Sequence, residues 1–207
     1  MITVKQLKAV LSLNKSGNTS DDFFKSHRYV EGYIKRVFLI GLRLNGVQFK
    51  NAVKIIEGTY IKTDSLIEKV LFLLNHNHTH GKQQQVIESL KKSHTEFFQM
   101  NELVLKFTVP YRNRLAHGTI EELKDQELID WLCHINRSYF KEFENLLLKE
   151  FGHSAFEEPG KWGAKRGIQE KTEDTVNNLK LGSIVSKPMT LALVQKSLQG
   201  TIYENLP

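Results

Sequence analysis

Seven consecutive residues, Arg112-Asn113-Arg114-Leu115-Ala116-His117-Gly118, bring an imidazole, two guanidiniums and an amide together. Histidine titrates near neutrality and can take and return a proton. Arginine presents a planar fork that suits phosphate oxygens. This pairing fits cleavage of RNA, which carries its own nucleophile in the 2′-hydroxyl. A base removes that proton, the oxygen attacks the adjacent phosphorus, and an acid protonates the leaving 5′-oxygen. Charge builds on the equatorial oxygens, where a guanidinium helps most. The step requires no metal and no cofactor, and it leaves a 2′,3′-cyclic phosphate and a 5′-hydroxyl.

Spacing constrains how these groups meet. On a helix Asn113 and His117 are four residues apart and share a face, and Arg114 and His117 are neighbours at three. Arg112 lies five residues from His117, about 140° round the axis, so only a long side chain brings its charge back to the imidazole. Ala116 leaves room beside the histidine. One histidine cannot conveniently make both proton transfers. A two-fold dimer solves this by setting the same patch of each subunit face to face.

The string Arg-Asn-x-x-Ala-His-Gly resembles the Arg-x4-His signature of the HEPN superfamily, small all-helical proteins of which many are metal-independent ribonucleases. The resemblance extends over roughly residues 20–151. It implies an all-α, antiparallel helical bundle. It also implies a homodimer with a composite cleft, with Arg112 and His117 as the catalytic pair and Asn113 orienting groups in the site. Arg114 has no fixed role in the family and reads as an RNA contact. Such proteins commonly act as toxins or in defence against phage, so an antitoxin or defence-system protein fits as a partner. One departure stands out. A subgroup paired with nucleotidyltransferase antitoxins has tyrosine two positions after the histidine, and here that residue is Thr119. The alternative is a non-catalytic HEPN module that binds RNA or a protein within a defence or toxin–antitoxin complex. A helical structural protein with a fortuitous motif is the third reading.

The elements that position the string follow from periodicity. A short helix is expected over 3–13 and a linker over 14–19. Ser20 then reads as an N-cap with Asp21 and Asp22 in the first turn. The helix it opens should run to about Asn45. Val30, Tyr33, Ile34, Val37, Gly41 and Leu44 form its apolar stripe, with Lys25, Arg28, Lys35, Arg36 and Arg43 on the other side. That basic ridge makes Arg28, Lys35, Arg36 and Arg43 the expected RNA-binding cations. Further helices are expected at 50–57, from Thr63 or Asp64 to Leu74, from Gln83 to Lys106, and over 124–150. Pro110 suits the first turn of a separate helix capped by Thr108, and Gly118 suits an αL stop. Gly152, Pro159, Gly160, Gly163 and Gly167 mark an irregular stretch, followed by weak helical patterns at 169–180 and 189–199 and a marginal strand at 182–186. The chain thus divides into an N-terminal helix and linker (1–19), a bundle (20–151) and an irregular, partly helical C-terminal extension (152–207).

Bulk properties agree with an RNA partner. The net charge is +6, and residues 1–50 hold nine Lys/Arg against three acids, which accounts for the whole surplus. A localised basic face attracts a phosphate backbone. A lone Cys133 excludes an internal disulfide and fits a reducing, cytoplasmic setting. The N-terminus has no apolar signal core, and the apolar runs at 37–42 and 70–74 are too short to span a bilayer, so no membrane role is expected. His76, His78 and His80 alternate in a polar loop with no fourth ligand nearby, which reads as a solvated loop. His94 and His134 read as packing or surface residues. His27 sits where it could touch phosphate, though nothing singles it out. Trp162 among Lys161, Lys165 and Arg166 reads as a loop anchor before a base-stacking platform. Cys133 reads as a buried structural thiol. Walker A, Rossmann and nucleophile-elbow strings are absent.

Overall fold

The computed structural model describes residues 3–57, 63–75, 83–152 and 154–156, with the isolated positions 196 and 199. The fold is all-α, with no strand among the described residues. The histidine loop at 76–80, the Trp162 cluster and the marginal strand at 182–186 lie outside them.

Capping residues set where the helices begin. Thr3 opens α1 (Val4–Leu11) by a capping box with Gln6. Thr19 opens α2 (Ser20–Leu44) in the same way: its hydroxyl accepts from the Asp22 N–H at 3.1 Å and its own N–H donates to the Asp22 carboxylate at 2.8 Å. The cap is therefore one residue earlier than Ser20, because Asp22 and not Glu or Gln closes the box. Ser20 is left to accept from the Leu123 N–H at 3.1 Å.

α2 is the axis of the bundle. It packs against α1, α3 (Phe49–Glu57), α4 (Thr63–Leu74) and α8 (Gln126–Leu146). Its expected apolar stripe is buried throughout. A Cβ on Gly41 would stand 3.1 Å from Leu73 Cβ, so glycine allows the close approach of α4. Rings form the centre of the core: Tyr33 lies 4.4 Å from Phe140 and Phe97 lies 4.7 Å from Phe143, centroid to centroid. Cys133 is buried among Phe23, Leu123, Ile129 and Leu132, and burial pushes its thiol up to about 12, so it is structural and inert.

The linker before α2 is tied to α8. The Asp130 carboxylate accepts from the Asn18 N–H at 2.9 Å, the Asn18 amide at 2.7 Å, the Gly17 N–H at 3.0 Å and Gln126 at 3.1 Å. The Asn18 backbone bond leads in holding its pKa at about 2. A carboxylate depressed in the fold stabilises it above its unfolded pKa of roughly 4. That contribution is lost as pH falls towards about 2. Asp130→Asn should therefore lower the urea midpoint at pH 7, with the gap to wild type closing below pH ~4. A gap independent of pH would contradict this.

Two expectations about the third helix are corrected. It does not run unbroken from Gln83: α5 (Gln83–Ser93) ends before His94, which leaves the helical region at φ −131°, ψ 47° and starts α6 (Thr95–Leu103). Its ring reaches Glu150 at 2.7 Å, which explains the turn. Nor does Pro110 follow a capped break. Val104–Thr108 is a π-helical turn that leads directly into α7 (Val109–Ala116), and the Val109 N–H reaches back to the Val104 carbonyl. A proline ring clashes with the carbonyl four residues earlier, and the wider turn absorbs that clash. Thr108 stays helical, and its hydroxyl donates to the Val104 carbonyl at 3.0 Å instead of capping.

Candidate active site

The string at 112–118 covers the second half of α7 and its exit. α7 ends at Ala116, and His117 is the C-cap residue at φ −96°, ψ 8°. Gly118 takes φ +65°. Its N–H donates to the Leu115 carbonyl at 3.2 Å, and the Thr119 N–H donates to the Arg114 carbonyl at 2.9 Å. These two bonds make a Schellman motif, which fixes the backbone that carries His117. The imidazole is exposed, and among the described residues its side chain has no hydrogen-bond or ion-pair partner. A Cβ on Gly118 would meet nothing within 4 Å, so only its dihedral matters. Gly118→Ala should cost about 1–2 kcal/mol in thermal unfolding, and Gly118→Asn less. An unchanged midpoint for the alanine variant would contradict the αL assignment.

Arg112 points the other way, into the groove between α7 and α2. Its Nη1 donates to Asn113 Oδ1 at 2.8 Å, and its Nη2 pairs with the Glu31 carboxylate. Its Nε is buried without an acceptor, while the side chain as a whole remains 21% exposed. Burial lowers the guanidinium pKa. Asn113 is thus the inner partner of the arginine as well as a residue four before the histidine. Arg114 is exposed and lies over the Tyr111 ring, 5.7 Å from its centroid.

Beside Glu31 is His27, which is 1% exposed. Its Nε2 is 3.7 Å from Glu31, beyond hydrogen-bond reach, and neither ring nitrogen has a partner. Burial, and then the Arg112 charge, hold its pKa at about 3, so it is neutral. His27 therefore cannot touch phosphate. It belongs to a buried polar cluster in which Asn136 donates to Ser26 at 2.8 Å.

The expected basic ridge on α2 is corrected. Arg28 is exposed and Lys35 is half-buried. Arg36 and Arg43 are only 7% and 4% exposed. Arg36 donates from Nε to the Ala155 carbonyl, and Arg43 donates to the Val47 carbonyl at 2.8 Å. Arg36 and Arg43 therefore serve as buried donors to backbone carbonyls, so the five cations do not form one continuous ridge.

A groove beside Leu115 and an exposed aromatic on α8 are further surface features. A groove of about 460 Å³ is lined by Ser20, Asp21, Phe24, Leu115, Glu121 and Glu122. Its three carboxylates, Asp21, Glu121 and Glu122, disfavour phosphate there. α7 also has no fully buried residue, and Trp131 on α8 is 54% exposed.

Glu31 and His27 were not legible as site residues. The one signal was their i,i+4 spacing beside Val30, which equally describes a surface pair. Among the described residues no group of three or more His, Cys, Asp or Glu could hold a metal ion, and no helix is long and apolar enough to cross a membrane. Comparison with protein-family models, curated proteins and solved structures finds no match.

Proposed function

We propose that the chain is a HEPN-type, metal-independent endoribonuclease that cleaves RNA by 2′-hydroxyl attack. The observation that carries this reading is an exposed, unpartnered imidazole at the C-terminal cap of the same short helix that carries Arg112. His117 takes the 2′-hydroxyl proton as general base. The guanidinium of Arg112 stabilises the charge on the non-bridging oxygens. A second subunit, related by a two-fold axis, supplies the imidazolium that protonates the 5′-oxygen. The half-covered α7 is the surface across which that subunit fits. Arg114 and Arg28, both exposed, are the remaining RNA contacts. A toxin or anti-phage role, checked by an antitoxin or defence-system partner, follows from the resemblance, and the lone Cys133 fits a cytoplasmic setting.

The test is incubation of RNA with pure protein and excess chelator, beside the same sequence with 2′-deoxyribose throughout. RNA is expected to be cut and the deoxy strand to survive. Cleavage of both would exclude 2′-hydroxyl attack. Cleavage of neither would favour the second reading, a non-catalytic module that binds RNA or protein. The exposed Trp131 on α8 is the observation on that side, since such aromatics anchor interfaces.

A further inference from the structure

We infer that Glu31 of α2 is the positioning residue for Arg112, holding its guanidinium ready for the charge that develops in the transition state. This rests on the ribonuclease reading of the site. Four observations support it. The carboxylate comes from a different helix, so the pair locks α7 to the bundle axis at the arginine itself. The fork is held at both ends, Nη2 by Glu31 and Nη1 by Asn113, which fixes its plane as well as its place. The histidine one turn before Glu31 is neutral, so it does not compete with Arg112 for the carboxylate. The Arg112 side chain as a whole is still 21% exposed, so it is not sealed off from a ligand.

The pairing also sets how strongly the arginine draws phosphate at each stage. An RNA phosphodiester in the ground state carries one negative charge. Its attraction to Arg112 is reduced by Glu31 alongside. As the 2′-oxygen attacks, charge accumulates on the non-bridging oxygens and the fixed guanidinium gains most there. Binding energy is thereby withheld from the ground state and expressed in the transition state, which raises kcat at the expense of ground-state affinity. A free arginine would do the reverse, binding the backbone well and orienting poorly.

The prediction is a split between kinetic constants. In the full-length chain, Glu31→Ala should lower kcat about tenfold to a hundredfold, since misplacing a catalytic group has that scale of effect. KM should be unchanged or lower. Glu31→Gln keeps one acceptor and the same shape, so it should recover part of the loss. Binding of a 2′-deoxy oligonucleotide should tighten about threefold in Glu31→Ala, and the gain should vanish when Arg112→Ala is added. If wild type cuts RNA and both Glu31 variants keep its kcat, the positioning role is wrong while the ribonuclease reading stands. If kcat rises, Glu31 is a latch and the inference is overturned. If wild type does not cut, the ribonuclease reading fails, and the binding cycle alone decides whether Glu31 governs Arg112. A variant that loses its helical circular dichroism is set aside in favour of Glu31→Gln, whose kcat and binding then decide.

Discussion

His117→Ala is expected to slow RNA cleavage by about a thousandfold while leaving stability within about 0.5 kcal/mol of wild type. Both halves follow from where the residue sits. Its imidazole is exposed and unpartnered, and the cap that fixes its backbone uses main-chain bonds and Gly118, none of which alanine removes. In a composite cleft each subunit loses its proton-transfer group, so the loss falls towards the upper part of the general acid–base range. Arg112→Ala makes the useful contrast. It should also suppress cleavage, but it leaves the Glu31 carboxylate and the Asn113 amide without the arginine. It should therefore cost stability as well, about 1 kcal/mol given the partial exposure of the pair. Initial rates and thermal midpoints, measured together, check both variants. Full activity in either would remove that residue from the chemistry.

The second large effect is acid lability through His27. In the unfolded chain its pKa is roughly 6.5. In the fold burial and Arg112 hold it at about 3. The unfolded state therefore binds more protons between these values, and stability rises with pH across that window. The contribution is complete above roughly pH 6.5 and is lost progressively as pH falls. Two units below that point the loss is about 3 kcal/mol, a large share of the total of roughly 5–15 kcal/mol for a domain. His27→Phe keeps a ring beside Phe23 and has nothing to titrate. Its urea midpoint should fall less than that of wild type between pH 7 and 4.5. Carboxylates such as Asp130 titrate in both proteins and cancel in the difference. Parallel pH curves would show that the imidazole is not buried neutral in solution.

Much of the frame was legible in the sequence because it depends on local rules. The stripe from Val30 to Leu44, the αL stop at Gly118 and the end of α4 at Leu74 all stand where periodicity and glycine placed them. What failed depended on distant chain. The pattern of α2 alone puts Arg36 and Arg43 on one solvated ridge with Lys25, Arg28 and Lys35, whereas both arginines are buried. Arg36 instead meets the carbonyl of Ala155, 119 residues away. Long cationic side chains can bury their stems and satisfy their donors on backbone, so a charged letter does not mark a wet face. The break at His94 had the same origin, a partner in Glu150 beyond local reach. At the candidate site the motif residues themselves were legible. Their electrostatic partner was not, since the pairing of Arg112 with Glu31 spans two helices and leaves no short-range signature.

The most direct measurement is end-group analysis of RNA exposed to pure protein in excess chelator. Fragments ending in 2′,3′-cyclic phosphate and beginning with 5′-hydroxyl are expected with wild type and absent with His117→Ala. Fragments with 3′-hydroxyl and 5′-phosphate ends, or undiminished cleavage by His117→Ala, would contradict 2′-hydroxyl attack at this site.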